Sequence, residues 1–226
     1  MKIKPVFPNV LQNQEIQLGW RKGEGNVVLI NPKLGEVVHV LICDDEDKGR
    51  WDQFLHCEPI GAICIPIRKD GKVGLVEVER PSFKEETLQR FPLTENDYQN
   101  LGRKSLEFPR GFPKKGESAS QTAIREAEEE IDSPIIRIEK IGVVTPNTAF
   151  HPHQIPVFLV QINENFKGQI PPDVNEKIFG KDWFTREEMN KKIEEGQIYC
   201  GITLAAWAIF LAKGLWKRCY LKEKTN

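Results

Sequence analysis

Residues 111–132 read GFPKKGESASQTAIREAEEEID and carry acidic side chains at Glu126, Glu129 and Glu130. On a helix the i, i+3, i+4 spacing puts all three carboxylates on one face. Like charges so placed repel, and they would weaken an ordinary helix. A hard divalent cation reverses that sign, because Mg²⁺ and Mn²⁺ prefer oxygen ligands. Gly111 sits in the loop that feeds this segment, and Glu117 lies between it and Arg125. A glycine-bearing loop running into an acidic helix suggests a place where a metal and a phosphate meet.

The elements that must position these residues are legible in part. Residues 118–131 predict a helix with Ser118 or Ser120 as N-cap. Ala123, Ile124, Ala127 and Ile131 form its apolar stripe, and Asp132-Ser133-Pro134 ends it. Residues 105–108 read as a short strand leading into Pro109-Arg110-Gly111. Upstream, 61–67 and 73–78 read as a hairpin around Lys69-Asp70-Gly71-Lys72. Residues 82–104 read as a loop with a short helical turn. Residues 1–20 show no strong period. Residues 26–31 and 36–43 predict strands joined by the turn at 32–35; a charged loop at 44–50 and a short strand at 53–58 follow. Downstream, 135–144 and 155–162 predict strands, with a proline-rich loop at 145–156 between them. A strand closing at 182–184, a helix from 185 to about 195 stopped by Gly196, and a last helix over 203–216 complete the reading. Strands interleaved with three helices indicate α/β or α+β with mixed strand directions.

The chain has 226 residues, room for one domain with an appendage or two small ones. Its net charge of −1 supplies no global basic field, so nucleic acid is not the expected partner. Cys43, Cys57, Cys64, Cys200 and Cys219 are odd in number and form no C-x-x-C pair. That pattern predicts neither a disulfide framework nor a cysteine zinc site, and fits a reducing cytoplasm. The segment MKIKPVFPNV lacks an apolar core of signal-peptide length. The apolar run at 202–212 is too short to span a bilayer, so no membrane partner is expected.

Gly111, Glu117, Arg125, Glu126, Glu129 and Glu130 meet six of the seven fixed positions of Gly-x5-Glu-x7-Arg-Glu-U-x-Glu-Glu-x-Gly-U, where U is bulky and aliphatic. The stretch therefore resembles the Nudix box. Ala127 is small for the first U position, Asp132 replaces the final Gly, and Ser133 replaces the final U. Asp tolerates left-handed backbone better than most residues, so Asp132 reads as a modified helix stop. Beyond the box, Glu107-Phe108-Pro109-Arg110-Gly111 looks like the E-x-P-x-G segment of ADP-ribose pyrophosphatases in that superfamily. Residues 73–81 (VGLVEVERP), 175–184 and 196–206 are similar to further segments of those enzymes, so the resemblance runs over roughly 25–215. Arg110 replaces a residue that is often Ala there, and loop 145–156 departs from their Ser-Pro-Gly-containing loop.

The resemblance implies an α+β fold: an α/β/α sandwich on a mixed sheet (59–226) with a small N-terminal β-subdomain (1–58) that helps form a homodimer. It implies a Mg²⁺- or Mn²⁺-dependent hydrolase of a nucleoside diphosphate linked to another moiety, with ADP-ribose giving AMP and ribose 5-phosphate. Glu126 and Glu130 are the expected direct metal ligands. Glu129 is a ligand or a catalytic group beside them, and the Arg110 carbonyl is the backbone ligand. Gly111, Glu117 and Arg125 are structural, the last two bracing the loop against the helix. The general base is expected at Glu176, with Asp173 in reserve. Arg80 and Glu107 match positions that contact substrate, and Arg110 is a further expected substrate contact, toward a phosphate. Other expectations within the fold are a GDP-sugar, dinucleotide or oxidised-nucleotide hydrolase, or a non-catalytic nucleotide sensor. His151 and His153 share one side of an extended segment, but without further His or Cys ligands they read as surface loop residues. Trp207 and Trp216 read as packing.

Overall fold

A computed structural model describes residues 2–5, 21–24, 27–43, 49–80, 103–171 and 178–217. The chain divides into two compact units, Met1–Ile60 with Thr145–Ile155, and Gly61–Val144 with Pro156–Asn226.

The first unit is an antiparallel sheet of β1 (Lys2–Pro5), β2 (Arg21–Lys22), β3 (Val27–Asn31), β4 (Gly35–Cys43) and β5 (Gly49–Cys57). β4 is its axis. It pairs with β5 along its length, and with β3 and β1 over its first and second halves. Val38, Val40 and Ile42 alternate along β4 and so share one buried face, against Val27, Leu55 and Cys57. The β3–β4 turn is held by Asn31, whose Oδ1 accepts from the backbone N–H groups of Lys33 (2.9 Å) and Leu34 (3.2 Å). This is an Asx turn, in which a side chain stands in for a backbone acceptor. β5 starts earlier than the short strand expected at 53–58. Pairing with β4 draws the polar residues before it into the ladder and overrides local composition.

The second unit is built on a mixed sheet in the order β10-β11-β6-β7-β12. Its strands are β6 (Ala62–Ile67), β7 (Val73–Arg80), β8 (Arg103–Glu107), β9 (Arg110–Gly111), β10 (Ile135–Val144), β11 (Ile155–Ile162) and β12 (Ile178–Phe184). β8 pairs with β7 and β9 with β6. β6 and β11 run parallel, and β6 is buried throughout. A continuous apolar run such as AICIPI needs cover on both faces of the sheet. Helices α1 (Ala119–Ile131), α2 (Arg186–Glu194) and α3 (Gly201–Ala212) complete the α/β/α sandwich.

Two rows of α1 fix its seat. Ala123, Ala127 and Ile131 face the sheet, where the two alanines pack on Ala62, Cys64, Phe158 and Val160. Small residues here let the helix approach closely, so the small side chain at 127 suits this seat. The adjacent row, Thr122, Glu126 and Glu130, is also buried. Ser118 caps the N-terminus in a capping box with Gln121. At the other end Asp132 takes φ 58° and ψ 46°, the left-handed stop its position in the motif calls for. Its carboxylate accepts from Ile170 N (2.6 Å) and pairs with Lys181 Nζ (3.3 Å). Ser133 is buried and donates to the Asn163 carbonyl at 3.1 Å.

The last helix begins before the expected 203 and ends at Ala212, short of 216; Gly214 at φ 61° breaks the chain there. Trp207 is buried, stacks on Phe210 and donates to Asn190, whereas Trp216 packs under the Arg186 guanidinium. The loop expected at 82–104 lies mostly outside the described residues.

Asp132→Ala should destabilise the chain by about 2 kcal/mol, from left-handed strain plus a lost charged hydrogen bond. Asp132→Gly should cost less, because only the hydrogen bond is lost. Urea denaturation of both variants checks this, and an alanine variant as stable as the parent would contradict the account of the helix stop.

Candidate active site

Strand β9 and helix α1 face each other in the second unit and bear most of the expected site residues. β9 is antiparallel to β6, with Ala62 opposite Gly111 and Ile63 opposite Arg110. The Pro109 carbonyl accepts from Cys64 N at 2.9 Å. Backbone groups alternate along an extended strand, so the Arg110 carbonyl points away from β6. Gly111 has an ordinary backbone, and its role is spatial: a Cβ there would collide with the Glu126 carboxylate. The absent side chain is the space that carboxylate occupies.

Glu126 and Glu130 are each 6% exposed. Carboxylates this buried need compensating charge or hydrogen bonds. Arg125 supplies much of it. Its Nη1 lies 2.7 Å from Glu126 Oε1 and 3.1 Å from Glu129 Oε2. Its Nε and Nη2 fork onto Glu117 at 2.9 and 3.1 Å, and Nη2 also donates to the Phe112 carbonyl at 2.8 Å. Burial works to lower the Arg125 pKa, but these carboxylates raise it above its ordinary value. The expected Glu117–Arg125 brace is therefore one arm of a larger knot. Glu117 is also held by Lys114 N (2.8 Å) and Thr122 Oγ1 (3.2 Å). The Arg125 hydrogen bond first, and then these contacts, lower its pKa from 4.5 to about 2. Lys114 Nζ adds a further cation 3.3 Å from Glu129.

Beneath the carboxylates lies Cys64, with no exposed surface, its Sγ donating to the Ala123 carbonyl at 2.9 Å. Burial and then the charges of Glu130 and Glu126 push its thiol well above the usual value. A thiol so held is no nucleophile.

A second ionic cluster centres on Glu107, whose side chain is 2% exposed. Its Oε2 accepts from Arg80 Nε (3.1 Å) and from Arg110 Nε and Nη2 (3.2 and 2.8 Å). Burial alone would lower the Arg110 pKa, but Glu107 raises it. The structure thus brings Arg80, Glu107 and Arg110 together, and separately Gly111, Glu117, Arg125, Glu126 and Glu129. Glu130 lies on the same buried row as Glu126. Glu176 and Asp173 lie outside the described residues. Lys114, Thr122 and the Phe112 carbonyl carried no sequence signal.

The donor set tests well against a hard cation. Glu126, Glu129, Glu130 and a strand carbonyl offer only oxygen, the choice of Mg²⁺ or Mn²⁺, and Gly111 leaves the room.

The family profile of the NUDIX domain matches residues 59–200, and the chain belongs to that family. Hydrolases of this family generally use divalent metals. A solved structure described as "ADP compounds hydrolase" is similar over 95% of this chain and 95% of its own, with TM-score 0.58 and 15% identity. A "NUDIX hydrolase from Nitrosomonas europaea" is similar over 69% of this chain and 90% of its own, with TM-score 0.49 and 17% identity. At such identity the first of these shows the fold. No protein of curated function gives a significant sequence match.

Two outcomes are expected here. In Gly111→Ala the Glu126 carboxylate, the far end of a flexible side chain, should swing away. Stability should change little while Mn²⁺ affinity falls about tenfold or more, read by electron paramagnetic resonance titration; unchanged affinity would refute the cradle. Glu117 has a depressed folded pKa, so its contribution is complete above pH 4.5 and is lost as pH falls toward about 2. The gap in melting temperature between the parent and Glu117→Gln should therefore close over that window. A gap independent of pH would contradict it.

Proposed function

We propose that this Nudix hydrolase cleaves the pyrophosphate bond of a nucleoside diphosphate linked to another moiety, with ADP-ribose, giving AMP and ribose 5-phosphate, the first substrate to test. The observation that carries the reading is the pair of buried carboxylates, Glu126 and Glu130, set against β9 where Gly111 makes room for them. The similarity in fold to a protein described as an ADP compounds hydrolase agrees with an adenine diphosphate substrate.

In this reading Glu126, Glu130 and the Arg110 carbonyl hold Mg²⁺ or Mn²⁺, with Glu129 a further ligand or a proton acceptor beside them. When bound, the metal neutralises the diphosphate, polarises phosphorus and lowers the pKa of water. Arg125 keeps the acidic side chains in place and bars them from swinging outward. Arg80 and Arg110 present guanidinium N–H groups to the diphosphate. Glu107, buried between them, fixes their orientation and leaves them less free to be lost to solvent. Glu176 remains the proposed general base, drawing the proton from the attacking water. Association through the first unit into a homodimer is the proposed assembly. Cys43, Cys57, Cys64 and Cys200 are free thiols, in keeping with a cytoplasmic setting. No described helix is long and apolar enough to cross a membrane.

With Mg²⁺ and a panel of nucleoside diphosphate derivatives, ADP-ribose should release AMP fastest. Glu130→Gln should lower turnover roughly 1000-fold or more, a loss of about 4 kcal/mol of transition-state stabilisation, with the fold intact by circular dichroism. Full rate in that variant would overturn the metal assignment. Saturable nucleotide binding without turnover of any substrate would favour a sensor.

A further inference from the structure

Three of the four histidines meet in the first unit, at a place the hydrolase site does not use. His56 is the last residue but one of β5 and Glu58 follows two residues on; His151 and His153 stand two apart in the 145–155 segment. Along extended backbone, residues i and i+2 point to the same side, so each pair presents two side chains together. The pairs face each other because His56 N donates to the Phe150 carbonyl at 2.7 Å, tying the segment to β5. The segment is itself turned by Asn147, whose carbonyl accepts from Phe150 and His151 and whose Oδ1 accepts from Ala149. His151 is thereby aimed at β5.

Ligand atoms of His56, Glu58 and His151 lie within 4.8 Å of one another. His56 Nδ1 is 3.1 Å from His151 Nε2 and 3.9 Å from Glu58 Oε2. Two ligands each ~2.0–2.1 Å from a tetrahedral zinc ion stand ~3.3 Å apart, so this spacing needs little adjustment. His56 Nε2 sits 3.2 Å from the Leu34 carbonyl, which makes that nitrogen the donor and leaves the Nδ1 lone pair pointing into the cluster. A backbone carbonyl on the far nitrogen is the usual outer support of a metal-bound imidazole. Glu58 has similar support, as His153 Nε2 lies 3.1 Å from its Oε1. Glu58 and both of these histidines are less than one-fifth exposed.

We propose that His56 Nδ1, His151 Nε2 and the Glu58 carboxylate form a zinc site, with His153 orienting the carboxylate and water taking the fourth position. Imidazole with one carboxylate suits zinc and its transition-metal neighbours, and excludes Mg²⁺, which demands oxygen. The ion would rivet the 145–155 segment to β5 and stabilise the first unit by binding only its folded form.

The test is a Co²⁺ titration of the full chain in excess Mg²⁺, which occupies the acidic helix. One equivalent should bind with the intense visible absorption of a four-coordinate, nitrogen-bearing site, and one equivalent of Zn²⁺ should displace it. His151→Ala and Glu58→Gln should each weaken binding roughly 100-fold, while Glu130→Gln should bind as the parent does. Zinc should also raise the parent's melting temperature and leave that of His151→Ala unmoved. No saturable site in the parent, or equal affinity in the parent and Glu58→Gln, would overturn the proposal. The parent titration decides the matter even if an alanine variant fails to fold.

Discussion

Arg125 is the contact on which the second unit's site depends. One guanidinium holds Glu117 from the loop, Glu126 and Glu129 from the helix, and the Phe112 carbonyl from the chain leaving β9. Remove it, and the carboxylates crowded on one helix face would lose the cation they share and repel one another more strongly. Because this cation belongs to the chain, the acidic helix can fold before any metal arrives. That separates it from small metal domains whose folding is the binding of the ion. In the proposed function a metal would meet these side chains already in place, so little of its binding energy would be spent on ordering them.

Close packing gives this arrangement its precision. Ala123 and Ala127 bring α1 down onto Ala62 and Cys64, and that seat fixes how far Glu126 reaches toward β9. Gly111 then leaves the volume for its carboxylate. The small residues in the helix and the glycine in the strand belong to one design, in which the helix is near enough for its acids to be sheltered yet not so near that they clash. Glu107 does the same for Arg80 and Arg110, drawing two like-charged groups onto one buried oxygen.

How much of this could be read from the sequence varied with how local its cause is. The helix of the box, its serine cap and its aspartate stop were visible, since caps, periodicity and left-handed backbone are local. β10 and β11 were bounded by their turn residues. The start of β5 was hidden in polar residues that only the ladder with β4 makes into a strand. The early start of α3 was hidden because Gly201 is a poor helix former and Cys200 gives no side-chain cap. Within the site, the box residues announced themselves by spacing. The link between Glu107 and Arg80 did not, because strand pairing brings them together across the chain. His151 and His153 read as surface residues for the same reason: nothing in sequence ties them to His56 and Glu58, 95 residues away.

The cysteine under the acidic helix has a chemical consequence. Oxidants and alkylating agents attack the thiolate, and the charges of Glu126 and Glu130, added to burial, keep Cys64 in its protonated form. The carboxylates of the box thus also act on the sulfur that lies beneath them. Among the described thiols, Cys64 should therefore be among the last to react.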